Sequence, residues 1–188
     1  ITAHAGLSKL VPGGFGVTIF FFLSGYLITS LLRVEFARDG KINLPQFYVR
    51  RILRIFPPLY ITLMVVGILG AIGLIPPSYG TGGVLADVLF LTNYSPLWTA
   101  QTGLPIPLWS LDVEEHFYLL FPIFYMLTLQ RRRPFVAAGA IIALCVMVLL
   151  VRIFNVILLP DYSFNYYWSH TRIDSILFGC CLAVWQNP

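Results

Sequence analysis

Charged residues are scarce in this 188-residue sequence. They make up 11% of it, whereas hydrophobic residues make up 58% and the mean hydropathy is +0.82. A soluble globular domain of this length needs about 25% charged residues to cover its surface. The shortage excludes an ordinary soluble domain and predicts a chain that is surrounded by lipid.

Cysteine is also rare: the sequence has only Cys145, Cys180 and Cys181, all within apolar runs. An odd number of cysteines with two of them adjacent is not the pattern of a disulfide framework, and the spacing is not that of metal ligands. We interpret the three as small core residues and predict no metal site.

Lysine and arginine are absent between Pro76 and Pro107, and most basic residues fall into two clusters. The first cluster is Arg33, Arg38, Lys41, Arg50, Arg51 and Arg54, and the second is Arg131, Arg132 and Arg133. Basic clusters that alternate with neutral connections follow the positive-inside rule, which puts both clusters on the cytoplasmic side. They do not form a face with interleaved aromatic residues, so the net charge of +4 does not indicate a nucleic-acid partner.

Five apolar stretches are long enough to cross a bilayer, which takes roughly 20 mostly apolar helical residues. They cover residues 14–32, 57–75, 108–129, 135–154 and a last stretch from about Arg172. Because the short alternating runs of a barrel are missing, the predicted fold class is all-α, a polytopic transmembrane helical bundle. The apolar run 84–93 is too short to span, and we expect it to be re-entrant or packed on the external surface.

The region between the first two stretches is predicted to turn at 39–45 and then to form an interfacial helix over 46–56. Arg50, Arg51 and Arg54 lie on or near one face of this helix, and Pro57 with Pro58 is expected to end or kink it. Two guanidinium groups three residues apart suit a phosphate or pyrophosphate.

Ionisable residues inside spans cost several kcal/mol unless they are paired or hydrated, so they are candidate functional groups. Ser110, Glu114 and Tyr118 recur every four residues and therefore share one helical face, where the two hydroxyl groups can orient the carboxylate or bind a hydroxylated ligand. Another face carries Asp112, Glu115 and His116. A simpler explanation for these carboxylates is a wet helix N-terminus, which the helix dipole favours.

Two further features lie in the first and last spans. Arg172 and Asp174 enter the last span, either as functional groups or as an internal Arg–Asp pair that locks two helices together. Ser24, Gly25 and Tyr26 in the first span are expected to permit close helix packing.

Four blocks of the sequence resemble one known family. They are Gly14-Phe15-Gly16-Val17 with Phe20 to Ile28, Phe47 to Pro57 with its R-x-x-R, Leu108-Trp109-Ser110-Leu111 to Leu119, and Thr171-Arg172-Ile173-Asp174. In this order they are similar to the integral-membrane acyltransferase-3 family, whose bacterial members acylate surface polysaccharides and related acceptors. Members have about ten spans of about 20 residues each, so residues 1–188 are expected to be part of such a domain.

The resemblance implies roles for individual residues. His4 matches the family histidine near the external end of the first span and is the implied catalytic base or acyl relay. Arg51 and Arg54, with Arg50 beside them, match the block that is thought to hold an acyl-CoA donor, commonly acetyl-CoA, on the cytoplasmic side. Glu114 matches the family's acidic residue, and Arg172 with Asp174 matches its Thr-x-Arg-x-Asp block. His116 stands where many relatives carry Gln, so no role is carried over to it.

The implied protein is an O-acyltransferase of the bacterial inner membrane that acts on a carbohydrate or glycolipid acceptor. No permanently bound cofactor is implied. The same internal Arg, Asp and Glu residues would also suit a transporter or flippase, although the sequence lacks the symmetric halves that are usual there. An inactive structural relative is a third alternative, against which the intact His4, Arg51 and Arg54 argue.

Overall fold

A computed structural model describes residues 13–74, 80–97, 108–158 and 163–186. The α-helices in these ranges are α1 (Gly13–Asp39), α2 (Leu44–Ala71), α3 (Thr81–Val88), α4 (Trp109–Phe124), α5 (Pro134–Leu158) and α6 (Ser169–Gln186). Short 3₁₀ helices cover Thr92–Leu97 and Ser163–Tyr166, and a π-helical turn, Tyr125–Leu129, continues α4. The predicted all-α class is confirmed.

Three of the described helices, α1, α2 and α5, are long and apolar enough to cross a membrane. Their outward side chains include large apolar ones such as Leu53, which is 68% exposed, and Phe135, which is 73% exposed. So much apolar surface needs lipid around it, and the chain is a membrane protein. The other two predicted spans are also helical, but α4 has 16 residues and α6 has 18, and charged residues interrupt both.

The chain divides into two compact units. The first unit contains residues 1–42 and 120–188, hence α1, α5, α6 and the end of α4. The second unit contains residues 43–119, hence α2, α3 and most of α4.

In the first unit, α6 packs against both α1 and α5, and glycines bring α1 and α6 into backbone contact. A methyl group on Gly25 would overlap the carbonyl oxygen of Ile176, and one on Gly179 would overlap that of Phe22. Small residues that allow such an approach are typical of membrane helix pairs. The packing role predicted for the Ser24-Gly25-Tyr26 segment is confirmed.

Contacts at both ends show that α1 and α6 run parallel. Near their N-termini, Arg172 donates a hydrogen bond to Thr18. Near their C-termini, Nη1 of Arg33 donates to the carbonyl oxygens of Ala183 and Val184 at 2.7 and 2.6 Å. Arg33 therefore satisfies carbonyl groups that the end of α6 leaves without an intrahelical donor.

Helix α5 runs antiparallel to α6. Phe135 at the start of α5 packs edge-on against Trp185 near the end of α6, with ring centroids 4.9 Å apart. The turn that carries Arg131 to Arg133 precedes α5, so it lies at the same end of the unit as Arg33. Arg33 and the turn from Arg131 to Arg133 thus share one end of this unit, as expected for basic groups on one side of a membrane.

The cysteines lie in α5 and α6 as free thiols, and Cys145 and Cys180 are buried. Cys180 contacts the carbonyl oxygen of Gly25 across the α1–α6 contact at 3.6 Å. The prediction that they are small core residues is confirmed for Cys145 and Cys180, whereas Cys181 is only partly buried.

In the second unit, α2 is one helix that continues through Pro57 and Pro58, so these prolines do not end an interfacial helix there, the first of the two predicted alternatives. Asn43 caps its start by accepting from the amide of Gln46 at 3.1 Å, after a turn in which Gly40 has φ of +67°. Neither proline can donate to the carbonyl group one turn earlier, but membrane helices tolerate this loss because hydroxyl groups and water compensate. One turn further along, the hydroxyl of Thr62 donates to the carbonyl oxygen of Pro58 at 2.7 Å.

The segment predicted to be too short to span forms the eight-residue α3 and the 3₁₀ helix after it. Leu59 and Leu63 of α2 are buried against Val84 and Val88 of this segment, together with Leu108. The hydroxyl of Tyr60 also donates to the carbonyl oxygen of Val88 at 3.2 Å. The segment is therefore packed on α2 within its unit.

Candidate active site

A buried carboxylate in α4 is held by a tyrosine one turn later. The hydroxyl of Tyr118 donates to Oε1 of Glu114 at 3.0 Å. Glu114 is 3% exposed and Tyr118 is 6% exposed. The predicted stripe of Ser110, Glu114 and Tyr118 is thus confirmed in its last two members, and Ser110 lies half-buried one turn before Glu114.

Arg51 of α2 stacks on the same tyrosine. Its guanidinium carbon lies 4.8 Å from the ring centre of Tyr118 and 5.7 Å from that of Phe47, one turn earlier on α2. Such cation–π contacts hold the plane of the guanidinium and leave its edge of N–H donors for other partners. Glu114 and Glu115 also attract the charge of Arg51. The structure thereby joins two of the sequence blocks, the R-x-x-R block and the Trp-Ser-Leu block.

The three arginines of α2 differ in their surroundings. Arg51 is half-buried by the aromatic rings, whereas Arg50 and Arg54 are exposed. Arg54 nevertheless lies close enough to repel the charge of Arg51. Two guanidinium groups held near each other favour an anion beside them, because the anion removes this repulsion.

A hydrogen bond fixes α4 beside α2 at this point. The hydroxyl of Tyr48, three residues before Arg51, donates to the carbonyl oxygen of Leu119 at 2.9 Å. The residue next to Leu119 is Tyr118, so the bond sets the distance between the guanidinium and the ring on which it stacks.

Asp112 of α4 is buried and holds the 3₁₀ helix that follows α3. It lies in the first turn of α4, as the helix-dipole argument expects, but it is 0% exposed rather than wet. Its Oδ2 accepts from the backbone amide of Asn93 at 3.2 Å, and the hydroxyl of Thr92 donates to Asp87 at 3.0 Å. Asp112 and Asp87 thus anchor the 3₁₀ helix after α3.

In the first unit, Arg172 and Asp174 take different partners. Asp174 forms an ion pair with Arg152 of α5. Arg172 faces α1, where its Nη2 donates to the hydroxyl of Thr18 at 3.2 Å. The interpretation of an Arg–Asp pair between two helices is confirmed for Asp174, but the arginine is Arg152, because residues two apart on a helix do not face each other.

Two aromatic rings flank Arg172. Its guanidinium carbon lies 5.0 Å from the ring centre of Tyr166 and 6.0 Å from that of Phe21. Thr171 holds the 3₁₀ turn of Tyr166 in place, because its buried hydroxyl donates to the carbonyl oxygen of Asn165 at 2.9 Å. The threonine of the Thr-x-Arg-x-Asp block therefore positions a ring against the arginine that follows it.

Arg152 was not among the candidate residues predicted from the sequence. It is the only charged residue within the apolar stretch 135–154, which was itself a signal, since an ionisable group inside a span needs a partner. Asn155 on the next turn donates to Asn165 at 2.9 Å and so belongs to the same polar group of residues.

His4, the implied catalytic base, lies outside the described residues. His116 is half-buried in α4, with its ring 6.1 Å from that of Tyr94. No catalytic role is assigned to His116, because the family resemblance implies none.

Comparison with known proteins extends the pattern of blocks to nearly the whole chain. A family profile described as an acyltransferase domain, that of the acyltransferase-3 family, matches residues 2–187. The chain belongs to the acyltransferase-3 family. The resemblance drawn from the four blocks is confirmed.

Curated relatives agree with this family. The peptidoglycan O-acetyltransferase OatA of Listeria monocytogenes is 34% identical over 98% of this chain and 32% of its own length. YrhL of Bacillus subtilis, which bears the same enzyme name provisionally, is 33% identical over 98% of this chain and 31% of its own length. The chain spans about a third of the length of the curated relatives it matches. No solved structure matches it.

Proposed function

We propose that this chain is the core of a membrane O-acyltransferase of the bacterial inner membrane. The proposed reaction moves an acetyl or other short acyl group from a cytoplasmic acyl-CoA to a hydroxyl group of an extracytoplasmic carbohydrate. Peptidoglycan is the proposed acceptor, because the relatives OatA and YrhL carry that name. The observation that carries the proposal is the stack of Arg51 on Tyr118, whose hydroxyl holds Glu114.

The donor is proposed to bind through its phosphate groups. Arg51 is held by Tyr118 and Phe47 with its N–H edge available, and Arg54 and Arg50 lie beside it with exposed side chains. Guanidinium forks bind phosphate oxygens in pairs, and CoA carries several phosphates. A phosphate bound here would also relieve the repulsion between Arg51 and Arg54.

The chemistry requires a base, for which His4 is the proposed group. A neutral imidazole takes the proton of the acceptor hydroxyl as its oxygen attacks the thioester carbonyl. The C–O bond forms, the C–S bond breaks, and the proton passes to the departing CoA thiolate. Transfer through an acyl group on the protein is an alternative order of the same steps.

Glu114 is proposed for the catalytic chemistry, and Arg172 is proposed separately for the acceptor side. The bond from Tyr118 fixes the orientation of the Glu114 carboxylate, which can then accept a hydrogen bond from a reacting hydroxyl. Arg172 carries a positive charge without an ion pair to any residue in the described ranges. That charge is proposed to bind an oxygen atom of the acceptor through its N–H donors.

The test measures donor binding and transfer separately. The intact protein in nanodiscs is given radiolabelled acetyl-CoA with and without peptidoglycan. The variants are Arg51→Gln, Arg51→Lys and His4→Ala, and Arg131→Gln removes an exposed charge elsewhere as the matched control. We expect Arg51→Gln to weaken donor binding by roughly tenfold or more, and Arg51→Lys to recover only part of it because lysine lacks the fork.

The His4→Ala protein should bind donor normally and transfer no label. Donor binding that is missing from the parent protein, or that is unchanged in Arg51→Gln, would overturn the donor site. In that case transport of an anionic solute through the same arginines becomes the better hypothesis.

A further inference from the structure

A cavity opens at the basic end of the first unit. Its volume is about 510 Å³, and it lies between the end of α1 and the π-helical turn. Arg33, Arg38 and Gln130 give it polar walls, whereas Val34, Phe36 and Ala37 give it an apolar one. The cavity therefore offers hydrogen-bond donors and a hydrocarbon surface side by side.

A second, smaller cavity of about 60 Å³ shares Arg33 and Gln130 with it and adds Arg132. Three arginines, from α1 and from the turn before α5, thus line two cavities that share part of their walls. The π-helical turn forms part of the wall, and such turns are frequent at functional sites.

Arg33 is held in place by the protein itself. Its Nη1 bonds to two carbonyl groups at the end of α6, and a guanidinium group has further N–H donors on its other two nitrogens. Arg132 makes no ion pair within the part of the chain that the structure describes. Arg38 pairs with Asp39 on the surface, where its side chain is 72% exposed.

The apolar wall continues along the outside of α1. Val34 is 58% exposed and Leu31, one turn earlier, is 49% exposed. A ligand with a hydrocarbon chain could lie on these side chains while its charged group stays among the arginines. Basic pockets between membrane helices commonly bind anionic headgroups in this way.

We propose that this cavity binds the phosphate headgroup of an anionic phospholipid, with one acyl chain along Val34 and Leu31. Charge complementarity selects the anionic headgroup, and the exposed apolar face of α1 selects a lipid over a free phosphate. This site uses none of the residues assigned to acyl transfer.

Native mass spectrometry of the intact protein tests the proposal. The protein is released from nanodiscs of mixed phosphatidylglycerol and phosphatidylcholine, and bound lipids are counted. The test variant is Arg38→Gln with Arg132→Gln, and the charge-matched control is Lys41→Gln with Arg133→Gln, neither of which lines the cavity. We expect phosphatidylglycerol to be retained by the parent and the control, and to bind roughly tenfold more weakly to the test variant.

A second variant guards against misfolding. Ala37→Glu places a negative charge on the exposed apolar wall and should expel phosphatidylglycerol, whereas Ala37→Gln should retain it. Equal losses in test and control variants would overturn the proposal, as would equal retention of phosphatidylcholine. Displacement of the lipid by acetyl-CoA would also overturn it and would make the cavity a second phosphate site for the donor.

Discussion

Asp174 pairs with Arg152 of the neighbouring helix, although Arg172 stands two residues before it in the sequence. Arg172 instead donates a hydrogen bond to Thr18 of α1 and contacts the rings of Tyr166 and Phe21. One helix, α6, therefore uses adjacent charges for two purposes: Asp174 joins it to α5, and Arg172 faces α1.

Breaking the ion pair should destabilise the first unit. Asp174→Asn leaves Arg152 without its counter-charge, and removing one partner of a buried pair is costly. We expect a loss of about 2 kcal/mol, below the range for fully buried pairs because the Arg152 side chain is 29% exposed. Thermal unfolding in detergent measures the change.

The control for this prediction is Arg172→Gln, which removes a charge from the same helix but no ion pair. It should change the melting temperature less than Asp174→Asn does. If the order were reversed, the assignment of Asp174 as the locking residue would be wrong.

Alanine substitutions should distinguish the glycines that the α1–α6 contact requires from glycines that can be replaced without loss of stability. Gly25→Ala and Gly179→Ala force a methyl group into the opposing backbone, so each should cost roughly 2 kcal/mol through overpacking. Gly67→Ala and Gly139→Ala are the matched controls, because a methyl group meets nothing within 4 Å at either position. Those two should be neutral or slightly stabilising, since alanine favours helix more than glycine does. Unfolding curves that do not distinguish the two sets would contradict the close contact.

Tyr118 allows its two contacts to be tested apart. Tyr118→Phe keeps the ring under Arg51 but removes the hydroxyl that bonds Glu114. On the proposed mechanism it should leave donor binding within about threefold and lower the transfer rate by roughly tenfold, since the carboxylate loses its orienting bond. Tyr118→Leu should weaken donor binding as well, because the cation–π contact is lost. Equilibrium binding of labelled acetyl-CoA and single-turnover transfer are the two measurements.

Asp112 should behave as an anchor rather than as a reacting group. Asp112→Ala leaves the amide of Asn93 without its acceptor in a buried place, which costs about 1–3 kcal/mol. The melting temperature should fall, whereas the affinity for acetyl-CoA should stay within about twofold in the folded fraction. Normal stability combined with lost transfer would instead place Asp112 in the reaction.

Residues related by helical periodicity could be predicted from the sequence. The four-residue spacing of Glu114 and Tyr118 predicted their contact, and the small residues around Gly25 predicted close packing. Membrane character followed from the shortage of charge. These predictions depend only on neighbours along one helix or on composition.

Contacts between helices could not be predicted in the same way. Nothing in the position of Arg51 along its helix indicates that it stacks on Tyr118 of another helix. Likewise, nothing in the position of Asp174 indicates that it pairs with Arg152. The expectation that Pro57 and Pro58 could end the helix was wrong for a related reason. Their cost depends on whether nearby groups compensate the lost hydrogen bonds, and that depends on the surroundings of the helix.

The parallel contact of α1 and α6 also has a consequence for how the protein is made. Arg33 bonds to carbonyl groups that lie 150 and 151 residues later in the chain. At typical rates of synthesis the ribosome needs roughly 8–30 s to cover that distance. During this time α1 is already made, while the surface around Gly25 still lacks its partner. Assembly of this unit is therefore a late event, and a nascent chain that stops before α6 lacks the helix that packs against both α1 and α5.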